Sequence, residues 1–184
     1  MEGGTYHVPV MLEPCLMGLG LDPDATYEQP RNYVDATFGG GGHSQAILDR
    51  MGENDRLWAF DQDPDALANA LDDERFTLIP QNFRYARNFL RMHGVQEVHA
   101  LLADLGVSSH QFDAPERGFS IRSDAPLDLR MNPKAGKSGA DWLAEASIAE
   151  MTQAFRLYGE LKRPDKAAWA IDKARQQEAI KTTG

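Results

Sequence analysis

Four consecutive glycines, Gly39 to Gly42, restrict the fold of this 184-residue sequence more than any other feature. They follow the β-branched and aromatic run YVDATF at residues 33–38, which is typical of a buried strand. Apolar residues recur at helical spacing over residues 44–51. A strand, a glycine turn and a helix start together place backbone N–H groups beside a bound anion or nucleotide. An ordinary tight turn is the alternative explanation of the glycines taken alone.

Similar patterns along the chain predict an alternation of strands and helices. Three further strands are predicted at residues 57–60, 76–79 and 98–103, and helices at 63–71, 83–92, 141–146, 148–158 and 166–179. This alternation predicts an α/β fold with a parallel sheet. Residues 105–140 are rich in Gly, Ser, Pro and Asp and predict a long irregular segment. Four strands are few for a doubly wound sheet, so we expect further strands to be missing from this chain.

Three side chains that follow predicted strands are candidates for nucleotide binding. Asp61 lies about 20 residues after the glycine turn, where an acidic residue binds ribose hydroxyls. Asp104 ends the fourth strand, and Phe83 follows the third and is placed to pack on an adenine ring. The alternatives are a solvated turn for Asp61 and a core aromatic for Phe83. The glycine spacing is not G-x-G-x-x-G, which favours S-adenosylmethionine over NAD.

Composition and charge limit where RNA could bind, the cellular setting of the protein and the chance of a metal site. Residues 1–103 carry 7 Lys or Arg against 16 Asp or Glu, whereas residues 104–184 carry 12 of each. Any RNA contact is therefore expected mostly in the second half. Cys15 is the only cysteine and no signal-peptide pattern begins the chain, which favours a reduced, cytoplasmic setting. The five histidines lack paired metal-ligand spacing, so no metal site is expected.

Taken together, the motifs resemble those of the MraW-type methyltransferases, which methylate N4 of a cytosine in 16S ribosomal RNA of the small subunit. The matching stretches occur in order at residues 7–12, 35–44, 61–64, 104–113, 116–120, 126–131 and 158–160. The resemblance implies a Rossmann-like methyltransferase core with an inserted helical domain that recognises substrate. Residues 1–105 would begin the donor-binding domain and residues 106–184 the insertion. A homodimer is one of the oligomeric states that the sequence leaves open.

The resemblance also implies a set of residues that bind S-adenosylmethionine, namely Gly41, Gly42, His43, Asp61, Phe83, Asp104 and Gln111. The two glycines and the histidine would form the loop at the methionine end of the donor. Asp61 would bind the ribose and Phe83 the adenine, and the last two would complete the site.

The catalytic residue is assigned from chemistry. The N4 amine of cytosine is a poor nucleophile, and a hydrogen-bond acceptor beside it can orient the amine and take its proton. Asp104 is the favoured acceptor, with a pure donor-binding role as the alternative. Asp128 and Arg130 are further candidates, although their alternative role is a salt bridge that holds their own loop.

Two departures from the family pattern are expected to matter. Glu160 is followed by LKRPD instead of a second glutamate, and Pro164 should disturb a helix interior. The later Ser-Phe-His-Ser motif of the family is absent, which suggests a truncated chain. These departures leave a non-catalytic RNA-assembly module open as an alternative. An NAD-dependent dehydrogenase also stays open, because it shares the strand, glycine turn, helix and acidic residue.

Overall fold

The computed structural model describes residues 9–184 of the chain. His7 and Val8, the first residues of the matching stretches, lie outside this range. Contacts divide the chain into two compact units, with the boundary between Gly106 and Val107. Across residues 9–184, no helix has the length and apolar character that crossing a membrane requires.

The first unit alternates short strands and helices. Its elements are α1 (Leu12–Gly18), β1 (Asn32–Asp35), α2 (Gly42–Arg50), β2 (Arg56–Phe60), α3 (Pro64–Leu67), β3 (Phe76–Ile79), a 3-10 turn (Phe83–Tyr85), α4 (Ala86–Met92) and β4 (Ala100–Leu102). The four strands form one parallel sheet in the order β3-β2-β1-β4. The predicted α/β class with a parallel, Rossmann-like sheet is therefore confirmed.

Both faces of β1 are buried, so its two adjacent apolar residues, Tyr33 and Val34, pack on opposite sides of the sheet. Tyr33 packs on one face with Leu16 of α1 and Ile47 of α2. Val34 packs on the other face with Phe60, in a cluster that includes Leu90 of α4. Asp35, opposite Ala59 and Leu102, ends the strand at the carboxyl edge of the sheet.

Several elements of the first unit differ from the sequence prediction. The strands predicted at 33–38 and 98–103 are shorter in the structure, where β1 ends at Asp35 and β4 covers Ala100–Leu102. The helix expected over residues 63–71 ends at Leu67, because the Asn69 side chain donates to the Gly39 carbonyl and Ala70 N–H forms only an i→i+3 bond to Leu67. Its start is as predicted, since Asp63 caps it and Pro64 occupies the first turn. Helix α1 was not predicted.

The second unit is helical. It contains α5 (Ser109–Asp113), a 3-10 turn (Pro115–Arg117), α6 (Gly139–Glu145), α7 (Ile148–Leu157) and α8 (Pro164–Arg175). A small core of Ala146, Met151 and Ala168 joins the last three helices. Residues 105–140 are thus less irregular than expected, because the capping box of Ser108 and Gln111 starts a short helix there.

The expectation that Pro164 disturbs a helix interior was wrong. Pro164 occupies the first turn of α8, where a proline removes an N–H that has no helical partner anyway. The helix therefore begins two residues earlier than the predicted Lys166. At its other end, Arg175 donates to the Leu143 and Ala146 carbonyls and ties α8 to the end of α6.

Candidate functional site

The glycine loop connects β1 to α2 at the carboxyl edge of the sheet. Gly39 and Gly41 have φ angles of 53° and 78°, a left-handed region that favours glycine. A Cβ on Gly41 would lie 3.0 Å from Phe38 Cζ, whereas one on Gly40 would meet no atom of the described residues 9–184 within 4 Å. The loop is thus held tightly at Gly41, and its backbone is open at Gly40.

Asp61 holds this loop through its carboxylate. Gly39 N–H donates to Asp61 Oδ2 at 2.8 Å, and Asp63 N–H donates to Oδ1 at 2.8 Å. A carboxylate oxygen can accept two hydrogen bonds, so each oxygen of Asp61 can accept one more from a ligand. The acidic residue after β2 and the glycine turn after β1 therefore form one structural unit.

A second network joins β1, α2 and β4. The buried Asp35 carboxylate accepts from Ser44 Oγ at 2.7 Å and from Thr37 N–H at 3.0 Å. Thr37 Oγ1 in turn accepts from the Asp104 backbone N–H at 2.8 Å. The backbone of Asp104 is fixed beside the start of the glycine loop, while its side chain is exposed.

The environment of Asp35 opposes its ionisation. Burial raises the pKa of this carboxyl above its usual range, and the hydrogen bonds from Ser44 and Thr37 partly offset that effect. Replacing water around a carboxylate by protein disfavours the charged form. We did not single out Asp35, Ser44 or Thr37 from the sequence as site residues. The sequence signal that could have identified Asp35 is its position as a carboxylate within the apolar run of β1.

His43 lies in the first turn of α2 and is 9% exposed. Its Nε2 is 3.2 Å from the Val10 carbonyl oxygen, so the ring joins α2 to the segment before α1. Among residues 9–184, no side chain caps α2, whose first residue is Gly42. The N-terminus of the helix thus presents backbone N–H groups and a positive dipole end to the glycine loop.

Phe83 begins the segment after β3. It is 43% exposed and belongs to none of the hydrophobic clusters, so it is not a core aromatic. Asn82 precedes it and donates from Nδ2 to Gln62 Oε1 at 3.0 Å, which joins the ends of β3 and β2. The Phe83 ring is therefore accessible, and the residue before it is tied to the segment that follows Asp61.

The structure brings together the candidates of the first unit, which are Gly41, Gly42, His43, Asp61, Phe83 and Asp104, at the carboxyl ends of the four strands. Gln111 and Asp128 belong to the second unit. Gln111 is buried, and its Oε1 accepts from Ser108 N–H in the capping box of α5. Asp128 pairs with Arg130, whose Nε donates to Oδ1 at 2.9 Å.

The Asp128–Arg130 pair acts within its own loop. Arg130 N–H also donates to Asp128 Oδ1, and the guanidinium hydrogen bond holds the pKa of the Asp128 carboxyl below its usual range. Leu129 between them has a φ of 63°, which is unusual for a residue with a branched side chain. This geometry supports the alternative role of the pair, which is a salt bridge that holds its own loop.

The first-unit residues combine four chemical features. These are a carboxylate that can accept from hydroxyl groups, an open glycine backbone, a helix start and an exposed aromatic ring. Within residues 9–184, no group of three His, Cys, Asp or Glu side chains is placed to hold a metal ion.

Comparison with known proteins decides the family. A model of the MraW methylase family matches residues 4–184 of the sequence. The chain belongs to the MraW methylase family. A relative from Flavobacterium johnsoniae, named ribosomal RNA small subunit methyltransferase H, is 54% identical over 178 residues, which are 97% of this chain and 57% of the relative.

Further relatives of the same name match this chain with similar identity and coverage. The one from Bacteroides thetaiotaomicron is 52% identical over 180 residues, and the one from Parabacteroides distasonis is 51% identical over 184. They are covered over 57% and 58% of their lengths, respectively. This MraW family chain therefore spans somewhat more than half the length of the curated relatives it matches.

Proposed function

We propose that this protein methylates the N4 amine of a cytosine in 16S ribosomal RNA, with S-adenosylmethionine as methyl donor. The observation that carries the proposal is the bond between the Asp61 carboxylate and Gly39 N–H, which joins an acidic residue and a glycine turn at the carboxyl edge of a parallel sheet. Membership of the MraW methylase family and the names of the relatives support the substrate class.

The residues of the first unit fit the donor. Asp61 would accept the ribose hydroxyls, and exposed Phe83 would stack against the adenine. Gly41 and Gly42 let the backbone approach closely, and the uncapped start of α2 would hold the carboxylate of the methionine part. When bound, S-adenosylmethionine supplies an electrophilic methyl group on a positive sulfur.

Asp104 is the proposed orienting residue. Its backbone is anchored to Thr37, which leaves the exposed carboxylate free to face a substrate. A carboxylate that accepts from the N4 amine turns the nitrogen lone pair toward the methyl group and takes the proton that the amine loses. We propose that the first unit binds the donor and that the second unit recognises RNA. Gln111 keeps its proposed role as a donor-binding residue.

The test is transfer of a labelled methyl group to small ribosomal subunits that lack the modification, followed by digestion to nucleosides. The expected product is N4-methylcytidine, formed in a reaction that S-adenosylhomocysteine inhibits. Asp104→Asn should lower turnover more than donor affinity, whereas Asp113→Asn, an exposed aspartate of α5, should change neither. Binding of NAD without competition from S-adenosylhomocysteine would refute the proposal in favour of a dehydrogenase. Donor binding without methyl transfer would favour the non-catalytic module.

A further inference from the structure

Helix α8 carries an exposed tryptophan between two exposed lysines. Trp169 is 62% exposed, whereas the adjacent Ala168 is fully buried against α7. Lys166 precedes Trp169 by three residues and Lys173 follows it by four. Residues at these spacings share one side of an α-helix, so the three side chains form a continuous face, which we call the α8 surface.

The lysines of the α8 surface are available to an anionic partner. Within residues 9–184, neither Lys166 nor Lys173 forms an ion pair. Trp169, Ala170, Asp172, Lys173 and Gln176 line a shallow open depression on this side of the helix. An exposed indole with free ammonium groups beside it is notable in a chain whose net charge is −9.

The acidic residues of α8 are neutralised by their neighbours. Arg175 donates to Asp172 Oδ1 from Nε at 3.1 Å and from Nη2 at 2.6 Å, and Gln176 donates to Oδ2 at 2.8 Å. Asp165 lies 3.5 Å from the Arg163 guanidinium. The charge that remains on the α8 surface is therefore positive.

We propose that the α8 surface binds single-stranded RNA, with Trp169 stacked on an unpaired base and Lys166 and Lys173 on phosphates to either side. The lysines are seven residues apart, about 10 Å along the helix, so they flank Trp169 and can each contact a phosphate on one side of the stacked base. Base stacking on an aromatic ring is tolerant of sequence. This inference rests on the proposed function, because ribosomal RNA is the substrate class assigned there.

A single aromatic ring between ammonium groups favours RNA over a lipid surface. Helices that lie in a bilayer interface bury a broad apolar face. The side of α8 opposite Trp169 is already used, since Ala168 and Ile171 pack in the cluster with Met151. The exposed face thus offers one ring and two positive charges, which is the combination that single-stranded nucleic acid binds.

Tryptophan fluorescence tests the contact directly. The sequence has three tryptophans, so the double variant Trp58→Phe/Trp142→Phe leaves Trp169 as the only one. Titration of this variant with a 20-nucleotide oligocytidylate should quench its emission to a saturating value. Unchanged emission at RNA concentrations that saturate binding would overturn the proposal, as would a blue shift with anionic phosphatidylserine vesicles and no response to RNA.

Substitutions then separate stacking from charge. Trp169→Ala should weaken oligocytidylate binding about fivefold or more, and Trp169→Phe should keep most of the affinity. Lys166→Gln/Lys173→Gln should lower the slope of log affinity against log salt by about 1.4, since each phosphate contact on a single strand contributes about 0.7. Arg87→Gln/Arg91→Gln, which alters two exposed arginines of α4 in the first unit, is the matched control and should leave affinity within about twofold of wild type. Unchanged affinity in Trp169→Ala would overturn the proposal.

The proposal and the proposed function fail in different ways. If oligocytidylate quenches Trp169 but no labelled methyl group reaches ribosomal RNA, RNA binding by the α8 surface is supported and the methyltransferase function is refuted. If methyl transfer occurs and Trp169→Ala leaves the KM for small subunits unchanged, the function stands and the α8 surface is refuted. Thermal unfolding of each variant, followed by circular dichroism, establishes that it is folded.

Discussion

The Asp61 carboxylate accepts a hydrogen bond from the backbone of Gly39 at 2.8 Å, so the acidic residue after β2 fixes the glycine turn after β1. The same carboxylate accepts from Asp63 N–H and supports the start of α3. In the proposed function this side chain also binds the donor, so donor binding and the local order of the loop depend on the same carboxylate. Substitution of Asp61 should therefore disturb both.

The two central glycines of the loop should differ in their tolerance of a side chain. Gly41→Ala forces alanine into a left-handed conformation and toward the Phe38 ring, and should lower the free energy of unfolding by about 1–3 kcal/mol. Gly40→Ala meets open space at a φ outside that region, and should stay within about 0.5 kcal/mol of wild type. Urea unfolding of both variants provides the measurement. Equal losses would contradict the loop geometry.

The bond from Ser44 to the buried Asp35 should show a pH-dependent contribution. Ser44→Ala removes a donor to the charged carboxylate and should cost about 1.5–3 kcal/mol when Asp35 is ionised. Burial raises the folded-state pKa of Asp35, so the stability that its protonated form contributes is lost as pH rises through that pKa. Loss of the Ser44 bond penalises the ionised form further.

The destabilisation by Ser44→Ala should therefore grow as pH rises from the ordinary aspartate pKa of 3.8 through the raised folded-state pKa, as measured by urea unfolding at a series of pH values. Gln45→Ala is the control, because it alters the adjacent residue, whose bond to Asp49 is exposed. A loss that shrinks as pH rises would show that Ser44 does not act through the ionised carboxylate.

The Asp128–Arg130 pair is predicted to stabilise its loop and to take no part in catalysis. Arg130 lowers the folded-state pKa of Asp128 below the ordinary 3.8, so the stabilisation is present above that value and is lost as pH falls through the lowered pKa. Asp128→Asn should lower Tm at pH 7, and the difference should shrink toward pH 3. Asp113→Asn should show neither effect. Loss of methyl transfer at unchanged Tm would instead make Asp128 catalytic.

The first unit was predictable because its sequence signals are local. The β1 run, the glycines and Asp61 each report one step of a parallel crossover unit, and together they give the sheet and its edge. The Asp35–Ser44 bond was not predicted, because it depends on how α2 packs across the end of β1. The early end of α3 was missed for the same reason, since the bond from Asn69 to Gly39 joins segments 30 residues apart.

The second unit was harder to predict because short capped segments carry weak periodicity. The capping box of Ser108 and Gln111 was present in the sequence, but the Gly- and Pro-rich composition around it indicated a loop. The prediction that Pro164 disturbs a helix interior was wrong, because a proline also favours the first turn of a helix, where Pro164 lies. Position within the element, which only the fold defines, decides between the two.

Calorimetric titration with S-adenosylmethionine tests the central claim most directly, that Asp61 and the glycine loop enclose the donor. Asp61→Ala should weaken binding by about tenfold or more, since it removes a charged acceptor, whereas Asp72→Ala, an exposed aspartate before β3, should leave the affinity unchanged. An Asp61→Ala variant that folds and binds S-adenosylmethionine as tightly as wild type would contradict the account.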